Sequence, residues 1–460
     1  MTITFRYSLI LCSLCVFCSC GLKKDFLNEK PTTEMFVPQT YADLQSLMDK
    51  EFVLNEMPEL GVLSGDEYYL KPGFWETLPT KERNAYIWAE DIFEGQRKIV
   101  DWNTPYKQIL QCNVVLDALS KGTATDASQK QLDNLKGAAL FVRALAFYNV
   151  AMQFAEIYDR PEVASKPGIP LKLRPEIDEK VTRATLKETY DKILADLTTA
   201  GNLLPDTVPF QFRNRPSKPA VYALLARIHL GNRSYEQAGK YADTCLSYYS
   251  KLIDYNTINV IAFFPFKPQN DETIYQARLP GESRIVNGLQ QPECIIDSTI
   301  YRSYEPNDLR KSAFYLLNSD NLPNIKGGYS GYAFTFAGLA TDEVYLIRAE
   351  CMAREGDKDE AMRFLNLLLK NRWTKNKFVP KTAATAEEAL KIILAERKKE
   401  LVFRGVRWTD LKRFNKENRN TTLIRKLNGI TYQLKPDDPR YLLPIPPDVI
   451  ALSGIPQNER

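Results

Sequence analysis

Residues 226–238, ARIHLGNRSYEQA, and residues 349–361, AECMAREGDKDEA, decide the fold of this chain. Each segment begins and ends with an alanine, and the two alanines lie twelve positions apart. Between them lie the end of one apolar, periodic stretch, a short polar turn and the start of another. Small residues are required where the two antiparallel helices of a hairpin touch, so the pattern predicts tetratricopeptide-like helical hairpins that stack into a continuous core.

Apolar residues at spacings of three and four predict further helices outside these hairpins. They cover about residues 39–52, 106–119 and 131–158, and the last is rich in alanine, which favours close helix packing. Capping boxes indicate three more helix starts, formed by Thr185 with Glu188, Ser234 with Gln237, and Thr385 with Glu388.

Two irregular regions rich in Pro, Gly, Asn and aromatic residues interrupt the helical pattern, at about residues 66–101 and 256–340. They predict long loops or small strands inserted between helical layers. Residues 39–460 are therefore predicted to form a single, mostly α domain, an α–α superhelix of hairpins with long loops and minor β-hairpins.

The N-terminal residues 1–20, MTITFRYSLILCSLCVFCSC, have the pattern of an export signal. The apolar run from Tyr7 to Phe17 is too short to span a bilayer. Because Ser19 is the one small residue directly before a cysteine of this cluster, we predict a lipoprotein signal at 1–19, lipidation of Cys20 and a tether over 20–38. An ordinary signal peptide, or a metal or disulfide cluster of the four N-terminal cysteines, are the alternatives.

The composition argues against several functions. The 61 Lys and Arg against 57 Asp and Glu residues are too balanced for a nucleic-acid binder. The single histidine, His229, argues against a multi-histidine metal site or a catalytic triad, and we predict that it is a hydrogen-bonded core residue. No phosphate-binding loop or nucleophile elbow is present, and no cofactor or metal is predicted.

Two groups of polar residues are predicted to be structural rather than catalytic. The cysteines downstream of the signal lie among apolar residues and are predicted to be buried free thiols, with disulfides left open. Glu396, Glu400 and Asp410 are interleaved with arginines, which lower a carboxyl pKa instead of raising it. They therefore predict an ion-pair network rather than a general acid. The four cysteines concerned are Cys112, Cys245, Cys294 and Cys351.

The aromatic residues are the best candidates for a ligand site. The chain has 24 Tyr, 22 Phe and 5 Trp, and sugar rings stack their C–H faces on such side chains. Trp373 and Trp408 have helical, basic surroundings and are predicted to be structural. The ligand-binding candidates lie in the irregular regions or beside them: Trp75, Tyr68, Tyr69, Trp88, Trp102, Tyr301, Tyr304, Tyr329 and Tyr332.

Several segments, in their order along the chain, match one family pattern. They are CGLKKDFLNEKP at 20–31, WNTPYKQILQCN at 102–113, GIPL at 168–171 with RATLKETYDKILADL at 183–197, KPAVYALLARIHL at 218–230, YLIRAECMAREGD at 345–357, ERKKELVFRGVRWTDLKRF at 396–414 and YLLPIPPDVI at 441–450. Together they resemble the SusD/RagB family of Bacteroidetes outer-membrane nutrient-uptake lipoproteins. After Cys20, Lys23 and Lys24 occupy the positions of the acidic cluster that is often linked to surface export in these bacteria.

The resemblance implies a helical scaffold whose looped face captures an oligosaccharide or a peptide. It also implies a lipid-anchored location at the outer membrane, facing the cell surface, and a partner, a TonB-dependent transporter of the SusC type. Such a protein binds its ligand without enzymatic chemistry. A lipid-anchored helical-repeat scaffold without a small ligand is the main alternative, and a glycan-degrading enzyme is the third.

Overall fold

The computed structural model describes residues 38–460 except 177, 288–290, 418 and 420. The predicted signal peptide, Cys20 and the tether up to residue 37 lie outside the described residues. The N-terminal part contains α1 (Tyr41–Met48), α2 (Glu51–Leu54), α3 (Leu60–Leu63), β1 (Tyr68–Leu70), α4 (Pro72–Glu76), α5 (Thr80–Tyr86), α6 (Val100–Ser120), α7 (Gln129–Phe154), β2 (Pro167–Pro170), β3 (Arg183–Thr185) and α8 (Leu186–Leu203).

The middle of the chain combines one helical hairpin with short elements. It contains α9 (Lys218–Gly231), α10 (Tyr235–Tyr248), β4 (Thr273–Tyr275), α11 (Arg284–Asn287), β5 (Cys294–Ile296), α12 (Ser298–Arg302), α13 (Arg310–Phe314), β6 (Tyr315–Leu317), β7 (Pro323–Ile325) and β8 (Leu339–Ala340).

The C-terminal part returns to longer helices. It contains α14 (Thr341–Arg354), α15 (Lys358–Lys370), α16 (Ala386–Glu400), α17 (Arg407–Asn415), β9 (Leu423–Leu427), β10 (Ile430–Leu434) and α18 (Pro447–Ser453).

The two predicted hairpins are confirmed as α9–α10 and α14–α15. The alanines that delimit them, Ala226 and Ala238 in the first and Ala349 and Ala361 in the second, are fully buried. Helix α10 also packs against α14, so that the two hairpins stack on each other. The mostly α, tetratricopeptide-like fold predicted from the repeat is therefore confirmed.

Helix α7 forms the centre of the N-terminal layer and packs between α6 and α8. Its alanine-rich side is buried, with Ala139, Ala144, Ala146 and Ala151 inaccessible to solvent. It is long and apolar enough to cross a membrane, but it is mostly buried within the protein, as expected for a core helix.

The predicted helix starts and ends differ from the structure in several places. The predicted helix at 39–52 is divided into α1 and α2: α1 ends at Met48, and the carboxylate of its C-cap residue, Asp49, binds Arg215. The Thr185 capping box is present. Ser234 makes no capping bond, because its hydroxyl accepts from Arg160 instead. Thr385 caps α16, but Glu388 binds the backbone of Ala384.

The irregular regions contain the predicted small strands together with short helices that were not predicted. The described strands pair as antiparallel two-stranded sheets, β1 with β5 and β6 with β7 among them. Helices α4 and α5 begin next to Pro72 and Pro79, since proline presets a helical first turn. The prediction of loops and strands alone was therefore incomplete.

Candidate functional site

Four of the nine candidate aromatic residues lie in the core. Tyr68 donates a hydrogen bond to Leu63 O (2.8 Å), and the indole of Trp88 donates to Ser64 O (2.9 Å). Tyr304 donates to the carbonyl of Lys399, and Tyr329 donates to Glu272. All four are at least nine-tenths buried. Their rings pack the fold and offer no face to a ligand, so we do not include them in the proposed site.

Trp102 is buried as well, but it lines a cleft of about 740 Å³. Its ring stacks on Tyr106 with 5.0 Å between the ring centroids. The cleft runs between the start of α6, the segment after β2 and helix α18, and Leu452 at its edge is 82% exposed. This cleft, which we name the Trp102 cleft, is large enough to hold a small ligand.

Tyr332 is exposed and lies beside Phe334 and Phe52; we name this aromatic patch the Tyr332 surface. It stacks on Phe334 at 4.9 Å, and the guanidinium of Arg278 lies between the rings of Phe334 and Phe52, 5.2 and 4.0 Å from their centroids. Phe52 is 71% exposed. Neither Phe52 nor Phe334 was predicted from the sequence, although Phe334 lies in the irregular region at 256–340.

Tyr69, Trp75 and Tyr301 are half-buried and lie on or beside the β1–β5 sheet. Tyr68 and Leu70 are buried, so strand alternation directs Tyr69 away from the core. Burial and the nearby Asp297 raise the pKa of Tyr69, and Lys71 and Arg302 oppose them. Charged groups of both signs therefore influence the hydroxyl of Tyr69. We name the surface formed by β1, α4 and α12 the β1 face.

Trp75 lies on α4, immediately after β1. Its indole donates to Arg83 O (3.2 Å), which fixes the orientation of the ring while part of it stays exposed. The neighbouring Phe74 is covered by Arg284, whose guanidinium lies 5.3 Å from the ring centroid. An indole that is held in this way and half-exposed is suited to stack on one face of a sugar.

Tyr301 lies on α12, which follows β5 directly. The ammonium of Lys311 lies 4.6 Å from its ring centroid, and Tyr315 packs edge-on at 5.6 Å. Lys71 and Asp320 form an exposed ion pair (2.6 Å) beside the same sheet. The elements of the β1 face thus present three half-buried rings and several charged side chains; the rings were predicted from the sequence, and the cations were not.

The carboxylates of the C-terminal motif form an ion-pair network as predicted, but only Asp410 pairs with the interleaved arginines, Arg397 and Arg413. Burial raises the pKa of Glu396 and Asp410, but the arginines outweigh burial and lower the pKa of both, that of Asp410 to about 2. Arg310 contacts Glu396 at 2.6 Å and Glu400 at 2.9 Å with all three side chains buried. A general acid requires a raised pKa, so these two groups are not suited to that role.

The other polar residues singled out in the sequence have structural positions. The four cysteines of the described region are free and buried, as predicted. Burial lowers the pKa of His229 to about 4, and its ring stacks on Tyr241. Its Nδ1 has no hydrogen-bond partner and its side chain is half-buried, so the prediction of a hydrogen-bonded core histidine was wrong on both points. Trp408 lies in α17 and Trp373 just beyond α15, and both are buried.

Across the described residues, no group of three or more His, Cys, Asp or Glu side chains is placed to hold a metal ion. Tyr329 and Arg404 line a further, narrow cavity of about 40 Å³ under the loop that contains Gly327 and Gly328. It is too small for a sugar ring. Of the predicted aromatic candidates, those that remain available to a larger ligand lie on the β1 face, in the Trp102 cleft and on the Tyr332 surface.

Comparison with known proteins gives matches along most of the chain. Residues 25–230 match a SusD-like family described as starch-binding and associating with the outer membrane, and residues 320–459 match the SusD family. SusD-like protein P2 of Formosa agariphila is 24% identical, and the match covers 78% of this chain and 79% of that protein.

Solved structures share the fold at low sequence identity. A SusD superfamily protein from Bacteroides thetaiotaomicron superposes with a TM-score of 0.75 at 22% identity, and the match covers 92% of this chain and all of that one. A laminarin-binding SusD-like protein superposes with a TM-score of 0.65 at 17% identity, and the match covers 92% of this chain and 99% of that one.

Proposed function

The chain belongs to the SusD/RagB family, and on that premise we propose that it is a nutrient-binding lipoprotein of the outer membrane, which captures an oligosaccharide and passes it to a TonB-dependent transporter of the SusC type. The protein acts by binding and release, and no covalent step is required of it. A peptide ligand is the alternative substrate class. A purely structural, helical-repeat scaffold is the alternative function.

The arrangement of the β1 face supports a glycan ligand. Tyr69, Trp75 and Tyr301 keep part of each ring exposed, whereas Tyr68 and Tyr304, their close neighbours in sequence, are buried. The exposed rings are flanked by cations and by the Lys71–Asp320 pair, which can exchange hydrogen bonds with hydroxyl groups. The laminarin-binding relative makes β-glucans the first glycans to test.

Glycan binding is tested by isothermal titration calorimetry with laminarin and starch oligosaccharides, after a glycan and peptide array. We expect Trp75→Ala to weaken binding by about fivefold or more, since a stacked aromatic side chain contributes on the order of 1 kcal/mol or more. Tyr301→Ala and Tyr69→Ala are expected to weaken it by a smaller factor. Tyr248→Ala, on the helical scaffold, is the matched control and should bind like the wild type.

Two further variants distinguish the β1 face from the other surfaces. Leu452→Asp changes the edge of the Trp102 cleft, and Tyr332→Ala removes the exposed ring stacked on Phe334. Loss of binding in either variant, with normal binding in Trp75→Ala, would move the ligand away from the β1 face. If no glycan or peptide binds the wild-type protein, the scaffold function is favoured.

The lipid anchor and the transporter are tested in the cell of origin. Cys20→Ala is expected to release the protein from the membrane fraction, because two or more acyl chains are needed for stable anchoring. Cys18→Ala is the matched control, since it alters the same cysteine-rich segment but not the proposed lipidation residue. Co-purification of a SusC-like transporter with the intact protein would support the partnership, and its absence from cross-linked membranes would contradict it.

A further inference from the structure

An exposed apolar loop follows the α9–α10 hairpin. Residues 260–266, VIAFFPF, contain no polar side chain, and residues 255–266 contain no charged one. Ile261 is 79% exposed, and Phe263 and Phe264 are 44% and 45% exposed. Surface loops are ordinarily polar, so an exposed apolar run of this length indicates contact with a partner or a membrane. We name residues 260–266 the apolar loop.

Contacts at its base hold the apolar loop in place. Lys326 donates through Nζ to the carbonyl of Val260 (2.9 Å), and the N–H of Gly327 donates to the carbonyl of Phe263 (3.0 Å). A Cβ at Gly327 would collide with the ring of Phe264, so glycine is required for this close approach. The apolar side chains at the tip are therefore exposed by a defined loop conformation.

The apolar loop adjoins the Tyr332 surface. Gly327, on which the loop rests, is followed by Gly328, whose N–H donates to the carbonyl of Tyr332 (3.1 Å). The Tyr332 surface extends to Phe52, which is 71% exposed. The loop and the Tyr332 surface thus form one exposed apolar band from Ile261 to Phe52, which we name the apolar band.

The chemistry of the apolar loop favours hydrocarbon over a sugar or a protein. A glycan site requires hydrogen-bonding side chains beside the rings, and residues 260–266 supply none. The guanidinium of Arg278, within the band, is neutralised by Glu56 at 2.8 Å. A stable protein interface involves about 20–30 residues on each side, far more than the apolar residues of this band. Hydrocarbon accepts exposed Ile and Phe side chains without a shaped pocket.

The start of the described chain leads directly to the apolar band. The described residues begin at Pro38 and enter α1, whose eight residues span about 12 Å before α2 carries Phe52. Cys20, the proposed lipidation residue, precedes Pro38 by 18 positions, which span at most about 60 Å. An acyl anchor on Cys20 therefore allows the band to touch the same membrane.

We propose that the apolar band contacts the lipid surface of the membrane that carries the anchor, with Ile261, Phe263 and Phe264 inserted among the lipid chains. This inference rests on the lipid anchor of the proposed function. Insertion of a few side chains is weak and reversible by itself, but beside an anchor it fixes which side of the protein faces the membrane. Release of Cys20→Ala from the membrane fraction is therefore still expected.

Vesicle binding tests the contact without the anchor and without a glycan. The mature chain, residues 20–460, is produced without acylation and sedimented with phosphatidylcholine vesicles at millimolar lipid. We expect binding that changes less than about twofold between about 50 and 500 mM NaCl, because the apolar loop has no charge to screen. Absence of binding, or binding that is lost at high salt, would overturn the proposal.

Matched variants assign the binding to the apolar loop. Ile261→Ser/Phe263→Ser should lower the partition coefficient about tenfold or more, because it removes two apolar side chains that insertion takes out of water. Ile424→Ser/Ile430→Ser removes two side chains of similar exposure, 52% and 55%, from the β9–β10 hairpin and should bind vesicles like the wild type. Equal vesicle binding by the loop variant and the wild type would refute the assignment.

The same loop variant separates this proposal from the proposed function. Ile261→Ser/Phe263→Ser should keep the glycan affinity of the wild type, because the β1 face is unchanged. Failure of vesicle binding with normal glycan binding would therefore overturn the membrane contact alone. Dimerisation in analytical ultracentrifugation that the loop variant abolishes, without vesicle binding by the wild type, would assign the band to a second copy of the chain instead.

A fluorescent probe reports insertion directly. In Cys20→Ser/Ile261→Cys, a nitrobenzoxadiazole probe labels the introduced thiol, since the four cysteines of the described region are buried. Vesicles are expected to shift its emission to the blue, and the same probe in Cys20→Ser/Ile430→Cys should show no shift. A probe at residue 261 that remains in water while the protein binds vesicles would contradict the proposal.

Discussion

Arg413 and Glu350 form a two-pronged ion pair in which both side chains are fully buried. Nη1 of Arg413 lies 2.5 Å from Oε1 of Glu350, and Nη2 lies 2.8 Å from Oε2. The pair joins α17 to α14, the first helix of the second hairpin. Arg413 also binds Asp410 through Nε at 2.9 Å, so one guanidinium connects the C-terminal motif to the helical repeat.

Breaking this pair from one side is expected to destabilise the protein strongly. Arg413→Met leaves the buried Glu350 with Arg354 as its remaining partner, at 2.8 Å. We expect a loss of about 3–5 kcal/mol in the free energy of unfolding, measured in urea. The double variant Arg413→Met/Glu350→Leu should recover part of that loss, because it removes the uncompensated charge. A double variant less stable than the sum of both single variants would contradict this account.

Asp410 is expected to control part of the acid unfolding. Its pKa of about 2 in the folded protein lies below the ordinary 3.8. A group with a lowered pKa contributes stability above its unfolded pKa and loses it as the pH falls through the folded pKa. This contribution, about 2 kcal/mol, should therefore disappear between pH 4 and pH 2.

Asp410→Asn is the test of that contribution. The variant should be less stable than the wild type at pH 7, and its stability should change less between pH 4 and pH 2. Asp359→Asn, on an exposed helix turn, is the control and should follow the wild-type curve. Equal pH dependence of the Asp410 variant and the wild type would show that the arginines do not hold this carboxylate ionised.

Glu59 is expected to have the opposite effect from Asp410: it should lower the stability of the protein as the pH rises. Burial, followed by the charge of Asp101, raises its pKa to about 8, and Lys81 lies 3.7 Å from both carboxylates. The raised pKa means that stability falls as the pH increases from about 4.5 to 8, because the unfolded chain releases the proton first. Glu59→Gln should remove this fall.

The Glu59→Gln variant should therefore exceed the wild type in stability at pH 8 by more than about 1 kcal/mol and match it near pH 4. Denaturation in urea at a series of pH values measures the difference. Glu355→Gln, at an exposed position, should leave the pH dependence unchanged. A lower stability of Glu59→Gln at pH 8 would indicate that Glu59 is ionised and paired with Lys81.

The four cysteines of the described region should resist alkylation in the native protein. Burial raises the pKa of Cys112 and of Cys294 to about 12, and that of Cys245 and Cys351 further. Because the thiolate is the reactive form, iodoacetamide should label them on the order of 100-fold more slowly than in urea. Peptide mass spectrometry identifies each site, and a native disulfide among them would contradict the structure.

Local patterns predicted the helical part of the fold well. The alanines at 226, 238, 349 and 361 are buried as predicted, because helix packing within a hairpin depends on residues close in the chain. The Thr185 capping box is equally local. Ser234 failed as a cap because Arg160, 74 positions away, binds its hydroxyl.

Tyr68 and Tyr69 show the limit of prediction from sequence for the candidate site. The two residues are adjacent and identical, yet Tyr68 is buried and Tyr69 lies half-exposed on the other side of β1. The side each ring takes follows from the pairing of Tyr69 with Ile295 on β5, 226 positions away. No local pattern contains that information.

The sequence alone determined the helical hairpins, the family, and the pairing of Asp410 with Arg397 and Arg413, since these depend on spacing and charge within short segments. Only the tertiary structure decided which aromatic rings remain exposed and that Glu396 and Glu400 pair with Arg310, far from them in the chain. Burial and hydrogen bonding are set by contacts between segments far apart in the chain, such as β1 with β5 and the C-terminal motif with α7.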